Sequence, residues 1–451
     1  MASISAAGVG SGLDIQSLVS QLVQAERAPA EGRLQREESS ARAQISAFGA
    51  LRSALSNLGG ALRALKPATA LDGRRSSSTD ATVVTATASA GAAAASYQVE
   101  VVSLASAQRL SSAAYASADA VVGTGTLNIG SGTNSFSVTI GASNNTLAGI
   151  RDAINGAAGN TSVTASVLNT AEGARLVLTA RATGAASAIT VTRSGGDGGL
   201  DALVYNPGTL TNLQVRAPAA DALARIDGFN FTSATNTLSG AVEGVSFNLL
   251  AQAPGSAKTV SISRDTESAR KLVEGFIASY NTVIGSISAA TRYDPATKTA
   301  SSLTGDALPR ALSGEMRRVA GATVEGNTAI RTLADVGITT SVSGALTLDG
   351  AKFATAMERN PAQVVALFTG DNGLASRLDA VVQRAAGSGG AIDGRTRGLD
   401  ERLRGVSERR DALELRMQAL EARYRKQFTA LDGLVAQLRT TSDFLARQLP
   451  A

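Results

Sequence analysis

The stretch that decides the fold is 399-LDERLRGVSERRDALELRMQALEARYRKQFTALDGLVAQLRTTSDFL-445. Apolar residues recur along it in alternating steps of four and three, which indicates a long helix whose apolar seam needs a partner helix. Near the start of the chain, Leu51, Leu55, Leu58, Leu62 and Leu65 keep the same steps. The apolar seam positions are Leu399, Leu403, Val406, Leu413, Met417, Leu420, Tyr424, Leu431, Leu434, Leu438 and Leu445, and the polar exceptions are Arg410, Gln427 and Thr441.

Composition excludes several classes of chemistry. The chain has 451 residues, enough for about three domains, and contains no Cys, no His and no Trp. Cysteine nucleophiles, histidine bases, serine–histidine–aspartate triads and metal sites built on Cys or His are therefore excluded. No cofactor is predicted. Helical ends around a β-patterned middle indicate an assembly component, and we predict that the protein is not an enzyme.

The charge is concentrated on the C-terminal helix. The net charge is +5, and residues 395–427 alone carry ten Lys or Arg and six Asp or Glu. A basic helix of this kind is compatible with nucleic-acid binding, but the interspersed acids and the lack of a stacking platform favour a solvated coiled-coil face. We therefore predict no nucleic-acid partner.

The opening residues carry no targeting signal. MASISAAGVGSGLDIQS has neither a basic n-region nor an apolar h-region, so a cleaved secretory signal is not predicted. No run of about 18 apolar residues occurs, so no membrane insertion is predicted either.

The middle of the chain has the period of β-strands, and the ends have that of helices. Asp14 is a candidate N-cap, Pro29 is expected to interrupt the first helix, and Leu71–Asp80 is expected to be a polar linker. Asp227-Gly228 predicts a hairpin turn. Strand patterns occur around residues 97–101, 136–140, 163–167, 176–178, 189–191, 245–249 and 260–262.

Arg410, Gln427 and Thr441 stand at seam positions and leave two interpretations open. They are either local irregularities of the coil or devices that fix its register, since a polar core residue penalises wrong alignments of two helices.

Motifs in the same order along nearly the whole chain resemble the bacterial flagellar filament cap family, also called hook-associated protein 2. Residues 123–192 also look like the insert module shared by hook and filament proteins. The motifs are Gly10-Ser11-Gly12-Leu13-Asp14 with Leu18, Val19, Leu22, Glu26 and Pro29; residues 226–249; Phe276 with Tyr280-Asn281; residues 291–294, 333–349 and 360–368; and Tyr424 to Asp432.

The resemblance implies a homo-oligomeric ring at the tip of the flagellar filament, outside the cell. Its implied partners are flagellin, the filament tip, the hook-associated junction proteins and an export chaperone. The implied function is to retain exported flagellin and to promote its folding and polymerisation. Export by the flagellar type III path, without a cleaved signal, agrees with the opening residues.

The implied fold class is α+β and multidomain, with coiled-coil-like helical legs, a mixed leg domain and two inserted β-rich head domains. We predict terminal helices at 1–40 with 395–451, a leg domain at 41–70 with 265–394, an inner head domain at 71–107 with 217–264, and an outer one at 108–216. The predicted oligomer or filament contacts are Leu18, Leu22, Leu399, Leu403, Leu413, Leu420, Tyr424, Phe428, Leu431 and Leu438.

Two alternative functions stay open from the sequence. A hook–filament junction protein would also have helical ends and a β middle. A tip adhesin would use the β-rich body to bind surfaces or mucus, although the low aromatic content of 4% gives that body few anchor residues.

Overall fold

The computed structural model describes residues 14–448, with only the helical backbone given for residues 446–448. Two compact units divide the chain. The first takes in the residues up to Leu71 and from Glu267 onward, and the second is Asp72–Thr266. The Gly10–Leu13 motif lies outside the described residues.

The first unit is mainly helical. Its two longest helices, α1 and α9, have 51 and 58 residues, so they extend for about 77 and 87 Å at 1.5 Å per residue. The α-helices among the described residues are α1 Ile15–Leu65, α2 Ala68–Leu71, α3 Leu147–Gly156, α4 Thr266–Thr291, α5 Ala307–Ala320, α6 Gly350–Arg359, α7 Pro361–Phe368, α8 Leu374–Ala386 and α9 Ala391–Gln448.

Helix α1 begins where the sequence predicted but is not interrupted at Pro29. The Asp14 side chain accepts a hydrogen bond from the Ser17 N–H at 3.0 Å and caps the first turn. The predicted break at Pro29 is wrong, because the helix continues through it to Leu65. Packing of α1 against α9 on both sides of this position outweighs the lost backbone hydrogen bond.

Replacing Pro29 with Ala should stabilise α1. Pro29 is exposed and inside the helix, so alanine restores a backbone donor without touching the core, and we expect a gain of about 1–3 kcal/mol. Thermal unfolding followed by the helical circular dichroism signal measures it. Ala28→Pro, at the exposed neighbouring position, should lower stability. An unchanged or lower melting temperature for Pro29→Ala would contradict this account.

The core of the first unit joins the C-terminal part of α1 to α4–α8. All five leucines from Leu51 to Leu65 that keep the seam spacing are buried. They belong to one cluster with Phe276, Tyr280 and Phe353. The apolar face predicted for α4 is confirmed by the burial of Phe276, Tyr280, Ile284 and Ile287.

The second unit is mainly antiparallel β-structure. Its sheets have the strand orders β1-β17-β3-β13-β14, β11-β10-β9-β5-β6, β12-β4-β8-β7 and β15-β16-β2. The strands are β1 Arg74–Ser78, β2 Val84–Ala88, β3 Ala95–Ser103, β4 Arg109–Ser111, β5 Gly125–Ser131, β6 Asn134–Ile140, β7 Val163–Thr170, β8 Gly173–Ala180, β9 Ile189–Ser194, β10 Tyr205–Asn206, β11 Leu210–Thr211, β12 Gln214–Ala217, β13 Ala222–Ile226, β14 Phe229–Ser233, β15 Thr237–Val242, β16 Val245–Leu249 and β17 Lys258–Arg264; the first unit adds β18 Tyr293–Asp294, β19 Thr299–Ala300, β20 Ile338–Thr340 and β21 Leu346–Leu348.

Two hydrophobic cores lie within the second unit. One takes its residues from 110–213 and includes Leu147, Ile150 and Ile154 of α3. The other takes its residues from 83–105 and 222–262 and includes Phe247. Asp227 and Gly228 have φ values of 47° and 88°, the left-handed backbone that the tight turn between β13 and β14 requires.

The linker predicted at Leu71–Asp80 is wrong, because Arg74–Ser78 forms β1. This strand lies at the edge of its sheet and pairs antiparallel with β17, from Arg74 opposite Arg264 to Ser78 opposite Val260. Backbone hydrogen bonds hold an edge strand of this kind, so its side chains can be polar. The predicted fold class is confirmed, and the exact domain boundaries stay a prediction.

Candidate interaction surface of the terminal helices

Helices α1 and α9 pack side by side and antiparallel. Arg52 of α1 pairs with Asp393 at 2.8 Å, and Arg27 pairs with Glu414. Ser20 and Glu421 line one groove, so the first turns of α1 lie beside α9 shortly before Leu431. Helix α1 of the same chain is therefore the partner that the seam of α9 needs, up to about Glu421 of α9.

The predicted contact residues fall into two groups. Leu18, Leu399, Leu403, Leu413, Leu420, Tyr424 and Phe428 are half-buried, and the half-buried Leu399 packs against the core of the first unit. Leu22, Leu431 and Leu438 are exposed. The seam residues buried most deeply, Val406 and Met417, were not among the predicted contacts.

The last part of α9 carries an exposed leucine stripe, which we define as Leu431, Leu434, Leu438 and Leu445. The exposed fractions of these side chains run from 49% to 67%. Their spacing of three, four and seven residues places them on one face of the helix. An exposed apolar face of this kind is a candidate interaction site.

Two glutamates of α1, in the part of the helix that precedes the core residues, bind arginines of α9. Glu37 accepts from Arg402 at 2.9 Å and from Arg409 at 3.0 Å. Glu38 accepts from Arg410 at 2.8 Å. A shift of α9 by one heptad would place Leu403 or Met417 beside Glu38 where Arg410 now lies, so the bond between Glu38 and Arg410 would be lost. This bond favours the register interpretation of Arg410 over a simple irregularity.

These contacts perturb both carboxyl groups. Hydrogen bonds from Arg409, and then from Arg402, hold the pKa of Glu37 below its ordinary value of 4.5. Arg410, and then Arg42, lower the pKa of Glu38 in the same way. A carboxyl group whose pKa is lower in the folded state adds stability above pH 4.5 and loses it as the pH falls through the folded-state pKa.

Exchanging both glutamates for glutamine should therefore change the pH dependence of stability. We expect the melting temperature of Glu37→Gln/Glu38→Gln to lie below that of the wild type at neutral pH. The difference should close as the pH falls below about 4.5, where the wild-type carboxyl groups become protonated. Glu401→Gln/Glu408→Gln, at two exposed positions of α9, is the matched control. A difference that stays constant with pH would contradict the role given to these pairs.

Sequence reasoning missed both glutamates. A signal was present, because arginines recur every seventh residue along α9 and flank the seam. Which acids of α1 meet them depends on the relative alignment of two helices more than 300 residues apart in the chain, and the seam spacing alone does not fix it.

The described residues offer neither a metal cluster nor a membrane span. Residues 14–448 contain no group of three metal-ligating side chains and no helix that is both long and apolar enough to cross a membrane. Asp197, in the glycine-rich turn at 195–199, accepts hydrogen bonds from the backbone N–H groups of Thr124 and Gly199 at 3.0 and 2.9 Å. Its carboxylate therefore holds a turn together.

Family models match most of the chain. The model for the flagellar hook-associated protein 2 N-terminus matches residues 11–108, and that for the C-terminus matches residues 219–440. A flagellin hook IN motif matches residues 126–182, inside the second unit.

Characterised relatives match from end to end. The chain is 34% identical over 461 residues to the A-type flagellar hook-associated protein 2 of Pseudomonas aeruginosa, covering 98% of this chain and 96% of the relative. It is 32% identical to flagellar hook-associated protein 2 of Escherichia coli K12, covering 99% and 98%. A crystal structure of the D1-D2-D3 domains of the flagellar cap protein FliD from Escherichia coli has a TM-score of 0.70 and 29% identity, covering 78% of this chain and 99% of that one.

Proposed function

This chain belongs to the flagellar hook-associated protein 2 family, and from that premise we propose how it acts. Its function is structural: it is a filament cap that serves flagellar assembly. The observation that carries this conclusion is likeness over the whole chain, because both terminal helices and the β-rich unit are covered together. The junction-protein and adhesin alternatives gain no comparable support.

The mechanism we propose assigns the attachment to the helical ends. The leucine stripe of α9 is exposed in the single chain, and it would be buried against neighbouring copies or the filament end. Of the predicted contacts, Leu22, Leu431 and Leu438 have the exposure that such a role needs. The half-buried residues, from Leu399 to Phe428, would support the α1–α9 pair instead.

A ring of copies suits a cap that must move while it stays attached. Several weak contacts, each released separately, hold an assembly through its effective concentration, whereas a single tight contact would block the insertion of new subunits. We propose that flagellin, the filament tip and the hook-associated junction proteins are the partners. An export chaperone is a further proposed partner, for export by the type III path.

The domain division that we propose keeps the predicted boundaries: 1–40 with 395–451, 41–70 with 265–394, 71–107 with 217–264, and 108–216. The two compact units and the two cores of the second unit support it. No catalytic role is proposed, and the absence of Cys and His from the sequence supports that view.

Deleting the gene tests the function directly. We expect motility to be lost and monomeric flagellin to accumulate in the culture medium, because export would continue while polymerisation fails. Complementation with the full chain should restore filaments of normal length. Normal filaments in the deletion strain would overturn the cap function.

A further inference from the structure

A row of arginines runs along α9 beside its seam, and the function proposed above does not use it. Seven residues are close to two helical turns, so side chains at this spacing lie on one flank of a helix that takes part in a coiled coil. We name this row the arginine ladder and define it as Arg395, Arg402, Arg409, Arg416 and Arg423.

The first three arginines of the ladder, Arg395, Arg402 and Arg409, have partners within the chain. We call them the lower rungs. Arg395 lies 3.5 Å from a carboxylate oxygen of Asp306. Glu37 binds Arg402 with one carboxylate oxygen and Arg409 with both, so a single glutamate bridges two rungs. This contact shows what the ladder accepts: a carboxylate placed between consecutive arginines.

The last two arginines of the ladder, Arg416 and Arg423, lack a carboxylate that bridges them. We call them the upper rungs. One and two heptads before Glu37, α1 has Ala30 and Val23 where a carboxylate would be needed. Within residues 14–445, whose side chains the structure describes, Arg416 and Arg423 form no ion pair, although the guanidinium carbon of Arg423 lies 5.6 Å from the ring centroid of Tyr424. Glu26 lines a groove with both arginines but pairs with neither.

A groove of about 430 Å³ lies at the point where the bridging stops. Its apolar and charged lining residues together fit an apolar side chain that is flanked by carboxylates. The apolar lining is Ala30, Leu34, Ala412 and Leu413, and the charged lining is Arg33, Arg409, Arg416 and Glu37.

We propose that the groove and the upper rungs dock an acidic amphipathic helix of another protein. Its carboxylates would sit between Arg409, Arg416 and Arg423 as Glu37 sits between Arg402 and Arg409. The spacing favours a helix as the partner, because acidic residues repeated every seven positions on a helix can pair with arginines repeated every seven positions. Charges that flank the apolar seam also set partner choice in coiled coils.

Charge argues against a second copy of this chain as the occupant. Residues 395–427 carry ten Lys or Arg against six Asp or Glu, so two such surfaces repel each other. A nucleic acid would match the charge but not the apolar lining of the groove, and its binding would not depend on seven-residue spacing. The proposal is separate from the cap function, since its test is binding in solution.

The experiment titrates the purified full chain with a labelled helical peptide of roughly 21 residues, with leucines along its seam and a glutamate every seventh residue on the flank. The comparison peptide has the same composition with the glutamates moved to the opposite face. We expect the first peptide to bind at least about tenfold more tightly, and its affinity to fall as salt is added.

Matched variants locate the site. Arg33→Gln/Arg416→Gln/Arg423→Gln should weaken binding at least about tenfold. Arg397→Gln/Arg404→Gln/Lys426→Gln removes the same charge from positions of α9 that do not line the groove, and should change binding by less than about twofold. All six side chains are exposed, so both variants should fold, and circular dichroism checks this. Equal binding of the two peptides, equal loss in the two variants, or competition by duplex DNA at equal charge concentration would each overturn the proposal.

Discussion

Replacing Leu431, Leu434, Leu438 and Leu445 with glutamine should strongly reduce filament growth while the chain stays folded. These side chains are exposed, with exposed fractions of 49% to 67%, so their removal takes little from the core of the single chain. In the assembled cap each copy would lose its attachment at the same time. Because the gain from multivalent attachment is about 10²- to 10⁴-fold, losing every contact should reduce the number of long filaments by at least about tenfold.

The control for this prediction is Leu415→Gln. Leu415 has an exposed fraction of 67%, like the leucines of the stripe, but lies off the seam. Strains carrying it should grow normal filaments. Filament length by microscopy and monomeric flagellin in the medium are the measurements, with the melting temperature of each purified protein as a check on folding. Normal filaments in the fourfold variant would remove the leucine stripe from the attachment mechanism.

Replacing Phe276 with Ala should produce the largest loss of stability. Phe276 is fully buried in the core of the first unit, and its ring centroid lies 6.1 Å from that of Tyr280. Truncating a buried phenylalanine leaves a cavity and usually costs about 3–5 kcal/mol. Because the α-helices that the structure describes, apart from the ten-residue α3, belong to the first unit, the helical circular dichroism signal in a denaturant titration reports mainly on this unit.

Tyr280→Phe is the matched control in the same core. The Tyr280 hydroxyl is buried and has no hydrogen-bond partner among the described residues, and burial raises its pKa to about 12, so it stays neutral. Removing an unsatisfied buried hydroxyl should leave stability unchanged or raise it by about 1 kcal/mol. A large loss from Tyr280→Phe, or a negligible one from Phe276→Ala, would contradict the packing described here.

The sequence predicted the elements better than their partners. The seam leucines of α1 and the apolar face of α4 were found because periodicity reports burial directly. Pro29 was misread because its local effect was judged without the packing of α1 against α9. The polar strand β1 was missed because an edge strand is held by backbone hydrogen bonds, which leave no apolar pattern.

The candidate site was predicted only in part for a related reason. Seam spacing marks Leu413 and Leu431 alike, but the structure half-buries the first and exposes the second. Which seam leucines are covered depends on where the partner helix lies, and this follows from the whole fold. The contact of Glu37 with two arginines could not be predicted from the sequence either, because it also depends on where α1 lies along α9.

The pairing of β1 with β17 has a consequence for how such chains can be altered. The first and last residues of the Asp72–Thr266 unit lie next to each other. Arg74 is opposite Arg264, and the Asp265 N–H donates to the Gly73 carbonyl at 2.9 Å. Neighbouring antiparallel strands hold paired Cα atoms about 5 Å apart, a gap that a short turn can close. The unit is thus built as a cassette: it can be excised, exchanged for another domain with adjacent ends, or left free to diversify while the helical machinery stays unchanged.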